Sequence, residues 1–181
     1  VLEARAQIEK RCGIAPEAVM IGASHSHSSG PLGMVLPGEF DHASDLVKDL
    51  AYKKSSCADA GYMARVRDAI VEAVAAAHQA RAEGTLGFGT GREETVAFNR
   101  RIRMWNGLAY SHPGKGNPDN VDFAGPVDPE VGVIGYWNPE GKLIGCVVNF
   151  ACHATTSGPW ISANWIYYLE RAIQGFYPEA K

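Results

Sequence analysis

The chain has 181 residues, of which 46% are hydrophobic and 20% charged, and its formal net charge is −3. These values are typical of one globular domain that can bury a core. The mild charge, without a basic stripe, argues against a nucleic-acid partner, and no apolar run approaches the roughly 20 residues that span a bilayer.

The first half of the chain has the apolar periodicity of helices, with one strand and one loop between them. In chain order, the sequence predicts a helix over residues 2–12, a strand over 18–23, a loop over 30–41, and helices over 43–54 and 59–82. Gly13 and Gly84 are expected to end the first and the last of these helices, because glycine is favoured just past a helix C-terminus.

The second half is mostly strand and loop. In chain order, it predicts an extended segment over residues 85–95, a short strand over 98–104, a loop over 111–129, strands over 131–137 and 143–152, and a helix over 161–174. Asn106-Gly107 predicts a hairpin turn, and the last two strands form a β-hairpin near 131–152. The predicted fold class is therefore α/β, a mixed β-sheet flanked by helices.

Two histidines, His25 and His27, follow the predicted strand over 18–23. In an extended segment, residues i and i+2 point to the same face, so both imidazoles are expected to face one point. Imidazole is the commonest side-chain metal ligand and titrates near neutral pH. The neighbouring serines, Ser24 and Ser26 among them, leave room for a metal and a substrate. A chance pair is the alternative, and the small neighbours argue against it.

A third histidine, His153, lies where the apolar strand over 144–151 runs out into small residues. A lone histidine there is more often a hydrogen-bonded residue at a strand end. If the two strands that carry the histidines are neighbours, however, the three imidazoles converge. Arg100 and Arg101 follow a short strand and could hold a carboxylate, a phosphate or a developing oxyanion, although the sequence alone favours a solvated basic turn.

Five motifs in order resemble the neutral ceramidase family, zinc-dependent amidases that hydrolyse the N-acyl bond of ceramide. They are residues 25–31 (His-Ser-His-Ser-Ser-Gly-Pro), 99–100 (Asn-Arg), 127–133 (Val-Asp-Pro-Glu-Val-Gly-Val), 149–155 (Asn-Phe-Ala-Cys-His-Ala-Thr) and 161–163 (Ile-Ser-Ala). The bacterial, ceramidase-like branch is the part of the family that the chain resembles most.

The resemblance implies a zinc ion bound by His25 and His153. It also gives His27 a role in oxyanion stabilisation or proton handling, and it places Arg100 in the lining of the site. The implied substrate is a small-molecule or lipid amide, with peripheral contact to a membrane surface. A secreted or periplasmic location follows from the resemblance alone.

In the family, a downstream glutamate and tyrosine complete the zinc site, and a downstream serine is the nucleophile. None of these has a counterpart before Lys181. The resemblance therefore implies that residues 1–181 are a partial catalytic domain, truncated at both ends and weakly active or inactive alone. Asn164 stands where the family tends to have aspartate, which would weaken the orientation of a ligand that the aspartate supports.

Two alternatives stay open at this point. One is a barrel-type, metal-dependent amidohydrolase, in which a histidine pair also ends the first strand. That class predicts alternating strands and helices throughout, whereas residues 84–152 contain mostly strands and loops. The other is a ceramidase-like binding or structural module that has lost the chemistry.

Overall fold

A computed structural model describes residues 1–155 and 158–181. The chain divides into two compact units, the first made of residues 1–82 and 155–164, the second of residues 83–154 and 165–181. Among the described residues, no helix combines the length and the apolar character that crossing a bilayer takes. That residues 1–181 form one partial catalytic domain stays a prediction.

The first unit is helical, as predicted. Its helices are α1 (Leu2–Cys12), α2 (Asp45–Lys53) and α3 (Ala60–Gln79). Gly13 ends α1 in the left-handed conformation, with φ 70°, and its N–H donates to the carbonyl of Glu9. At the start of α3, the carboxylate of Asp59 accepts a hydrogen bond of 2.6 Å from the N–H of Tyr62. Both helices therefore begin or end at the residue type that satisfies their free backbone groups.

The core of the first unit lies where α1 packs against α3. Its buried members are Ala4, Ile8, Val19 and Val71, with Ile8 fully buried. Two ion pairs join the helices at the surface: Arg11 with Glu72, and Arg67 with Glu3 at 3.0 Å. The hydrogen bonds and charge of Arg11 lower the pKa of Glu72. Because these pairs are exposed, the apolar cluster contributes most of the stability.

The predicted strand over 18–23 is wrong. Residues 16–18 form a 3₁₀ turn, and Val19 leaves it extended, with φ −104° and ψ 108°. No strand pairs with this segment within residues 1–155 and 158–181. The side chain of Val19 is instead buried against α1 and α3. The apolar residues that suggested a sheet thus serve helix packing. The glycine- and proline-rich segment over 30–41 is a loop, as predicted, with an isolated parallel bridge between Val35 and Cys57.

The second unit contains two three-stranded antiparallel sheets and one helix. One sheet has the order β1-β5-β6 and the other β3-β2-β4. The elements are β1 (Thr85–Arg92), β2 (Arg101–Met104), β3 (Ala109–Ser111), β4 (Asn120–Phe123), β5 (Glu130–Trp137), β6 (Leu143–Phe150) and α4 (Trp165–Phe176). Cys146 and Val148 of β6 face Leu169 and Ile173 of α4 across a shared cleft.

The α/β class and the predicted hairpin near 131–152 are confirmed, and the described residues form no closed barrel. Asn106-Gly107 makes the turn between β2 and β3, with Gly107 at φ 81°. The predicted loop over 111–129 is interrupted by β4, which pairs with β2. The last helix begins later than predicted, because Asn164 lies before it with φ 57° and interrupts the helical backbone.

Replacing Asp59 by alanine tests the cap of α3. The variant leaves the N–H of Tyr62 without its side-chain acceptor, so we expect the free energy of unfolding to fall by about 1 kcal/mol. Urea denaturation followed by circular dichroism measures the change. Glu17→Ala, which removes an exposed carboxylate of the same unit, is the control. An equal loss in both variants would contradict the capping role of Asp59.

Candidate metal centre

His25 and His27 lie on an irregular loop, residues 24–31, and not at the end of a strand. This segment is called the histidine loop below. The backbone of His25 is in the left-handed region, with φ 55°, which is uncommon for a residue other than glycine. The two rings nevertheless meet, with centroids 4.9 Å apart and planes at 70°. A bend at His25, and not the alternation of a strand, therefore brings the pair together. Both histidines are exposed.

Ser26, between the two histidines, fixes this loop. Its hydroxyl donates to the carbonyl of Ser162 at 2.8 Å, and it accepts hydrogen bonds from the N–H of Ser28 at 3.2 Å and the Nδ2 of Asn164 at 3.3 Å. A backbone hydrogen bond joins the same two segments, since the N–H of Ser162 donates to the carbonyl of Ser28. The motif over 161–163 thus binds the histidine loop directly.

The C-terminal end of the histidine loop, Gly30 and Pro31, contacts the start of α3. The carbonyl of Pro31 accepts a hydrogen bond of 3.1 Å from the N–H of Asp59. Gly30 lies so close to the ring of Tyr62 that a Cβ at this position would overlap the ring. The Gly-Pro pair that follows the histidines is therefore needed for close packing against α3.

His153 follows β6, as predicted, three residues after the strand ends at Phe150. The indole N–H of Trp165 donates to the carbonyl of Cys152 at 3.2 Å, and its ring meets that of Phe150 edge to face at 5.8 Å. Ala154 is fully buried. Contacts on both sides therefore fix the backbone that carries His153.

His25, His27 and His153 form a cluster that could bind a metal. One ring nitrogen of each lies within 4.8 Å of the others. Imidazole nitrogens are common zinc ligands, so the chemistry of the three side chains fits this metal. The neighbouring Cys152 is less suited as a ligand, because burial raises the pKa of its thiol.

Arg100 lies just before β2 and is exposed. The neighbouring Asn99 fixes this turn: its Oδ1 accepts from the N–H of Arg101 at 3.0 Å, and its Nδ2 donates to the carbonyl of Pro126 at 3.3 Å. The exposed Arg100 side chain forms no ion pair within the part of the chain that the structure describes. It is thus available to an anionic group, and its catalytic role stays a prediction.

The residues that hold the histidines could not be recognised as such from the sequence. Ser26 was noted only as a small neighbour of the histidines, Ser162 only as a member of a motif, and Asn164 only as a departure from the family pattern. Trp165 supports the segment that carries His153. The signal that could have found them is the clustering of small polar residues beside each histidine, since serine and asparagine side chains commonly bond to nearby backbone.

Comparison with known proteins gives one informative similarity. Over 142 residues, the chain is 28% identical to the neutral ceramidase of Pseudomonas aeruginosa, a match that covers 76% of the chain and 18% of that enzyme. The chain thus spans less than a fifth of the length of the relative. No protein-family model matches the chain, and no solved structure matches it. The similarity indicates a distant ceramidase-like relationship.

Gly30→Ala tests the contact between the histidine loop and α3. The added methyl group overlaps the ring of Tyr62, so we expect the free energy of unfolding to fall by about 1–3 kcal/mol. In the double variant with Tyr62→Ala, the two losses are expected to be less than additive. Urea denaturation of the four proteins measures this coupling. Gly22→Ala, where a Cβ meets nothing, is the control, and additive losses at Gly30 and Tyr62 would contradict the contact.

Metal binding tests the histidine cluster itself. We expect one Zn²⁺ per chain by isothermal titration calorimetry, and a loss of affinity of at least tenfold in His25→Ala and in His153→Ala, because each removes a direct ligand. The control is His42→Ala, which removes an exposed imidazole outside the cluster. Equal Zn²⁺ affinity in all three variants would show that the cluster is not the binding site.

Proposed function

We propose that the chain carries part of the active site of a zinc-dependent amidase similar to neutral ceramidase, which hydrolyses an N-acyl bond in a lipid-like amide. The observation that carries this proposal is the convergence of the three imidazoles, with ring nitrogens within 4.8 Å of one another. The similarity to neutral ceramidase supports the choice of an amide bond as the target.

In this proposal, His25 and His153 hold the metal. They come from separate stretches of the chain, each fixed by hydrogen bonds to its own neighbours. Zinc, when bound, would polarise the scissile carbonyl or activate a water or hydroxyl for attack. The three clustered imidazoles provide at most three of the four ligands that zinc usually takes, so we expect weak turnover from residues 1–181 alone.

His27 is the residue proposed to act on the reacting carbonyl. Its ring is exposed and packs edge to face against that of His25, which sets its direction. A ring N–H of His27 would donate to the carbonyl oxygen as negative charge builds there. One such donor is worth about 3 kcal/mol in the transition state. Arg100, as an exposed cation without an ion pair in the described chain, is proposed to stabilise negative charge on the substrate.

The proposed division of labour between His25 and His27 is testable with two variants. His27→Ala is expected to lower N-acyl amide hydrolysis by about 10²–10³-fold while Zn²⁺ affinity stays near that of the wild type. His25→Ala is expected to lower both. Fatty-acid release from a micellar N-acyl amide is measured on residues 1–181, loaded with Zn²⁺ and after treatment with a chelator.

His42→Ala is the matched control and is expected to keep both properties. If the zinc-loaded protein releases no fatty acid, the amidase proposal is wrong. If His27→Ala loses Zn²⁺ as completely as His25→Ala does, His27 is a ligand and its proposed role at the carbonyl is wrong.

A further inference from the structure

The segment over 162–164 contacts the histidine loop through hydrogen bonds to the hydroxyl of Ser26. A serine hydroxyl has one donor and two acceptor positions, and Ser26 uses all three: it donates to the carbonyl of Ser162 and accepts from Ser28 and Asn164. Because Ser26 lies between His25 and His27 in the chain, its hydroxyl fixes the backbone from which both rings extend.

Asn164 is buried, with only 5% of its surface exposed. Its backbone is left-handed, with φ 57°, a conformation that asparagine tolerates better than most residues. Its N–H donates to the Oγ of Ser162 at 3.0 Å, and its Nδ2 donates to Ser26. Asparagine at this position therefore provides both the bend and the donor.

The carbonyl oxygen of the Asn164 side chain, Oδ1, in contrast, is buried and makes no hydrogen bond among the described residues. Exchanging the two amide atoms would place the oxygen against the carbonyl of Ser162, 3.4 Å from the present position of Nδ2, so the observed orientation is the favourable one. A buried acceptor without a partner is costly. The side chain is thus held for its donor, which points to Ser26.

We propose that Asn164 and Ser26 are positioning residues that hold the loop of His25 and His27 in the arrangement that lets His25 bind the metal. This inference rests on the metal site proposed above. Neither residue would touch the ion; Asn164 acts on Ser26, and Ser26 acts on the backbone of the two histidines. Groups that orient metal ligands in this way commonly change metal affinity by 10–100-fold when they are removed.

Zn²⁺ dissociation constants, measured by competition with a chromophoric chelator, test this role in three variants of the full chain. Ser26→Ala removes the hydroxyl and leaves the backbone unchanged. Asn164→Gly removes the amide but still permits the left-handed backbone. Both are expected to weaken Zn²⁺ binding by about 10–100-fold. Ser26→Thr keeps the hydroxyl and is expected to bind Zn²⁺ nearly as well as the wild type.

Two further measurements separate positioning from a general structural role. The visible absorption of the Co²⁺-loaded chain reports the ligand geometry, and it is expected to change in Ser26→Ala and Asn164→Gly but not in Ser26→Thr. Thermal unfolding of the metal-free variants reports stability. Ser55→Ala is the matched control, because the Ser55 hydroxyl donates to the carbonyl of Ala51 within the same unit and has no link to the histidines.

The outcomes distinguish this inference from the metal site on which it rests. If the wild type binds Zn²⁺ and Ser26→Ala and Asn164→Gly bind it equally well, the positioning role is wrong and the metal site stands. If the wild type binds no Zn²⁺, both are wrong. If Asn164→Gly does not fold, the comparison of Ser26→Ala with Ser26→Thr decides, since a purely steric role would disturb the larger threonine more than alanine.

Discussion

A histidine carried by a loop keeps its direction only if something other than a sheet holds the loop. Around His25 and His27, that constraint is the hydroxyl of Ser26, whose donor and acceptor positions are all occupied by described residues. The backbone of His25 is held at φ 55°, a conformation that costs free energy in a residue other than glycine. A costly conformation held by saturated hydrogen bonds is typical of segments retained for function.

The elements that could be predicted are those whose signals are local. Gly13 marks the end of α1, because capping involves only neighbouring residues, and Asn106-Gly107 marks a hairpin for the same reason. The prediction that Gly84 ends α3 is wrong, because that helix stops at Gln79 with Ala80 as its C-cap. The segment over 18–23 could not be assigned in this way. A short apolar run looks the same whether it pairs in a sheet or, like Val19, packs between helices.

The metal centre was partly predictable for a similar reason. The spacing and the small neighbours of His25 and His27, and the position of His153 after a strand, can be read along the chain. The hydrogen bond between Asn164 and Ser26 joins residues 138 positions apart, and neither residue belongs to a periodic pattern. The supporting residues could therefore be identified only from the three-dimensional structure, and resemblance to a family selected Arg100 from the pair Arg100 and Arg101.

X-ray absorption at the zinc edge of the zinc-loaded chain tests most directly whether imidazoles of the His25, His27 and His153 cluster bind one ion. Convergence predicts a ligand shell at about 2.0–2.1 Å that contains two or three imidazole nitrogens, with the outer-shell scattering characteristic of the rings. The shell should lose one imidazole in His153→Ala. A shell of oxygen ligands alone, or one unchanged by that substitution, would contradict a metal centre built from His25, His27 and His153.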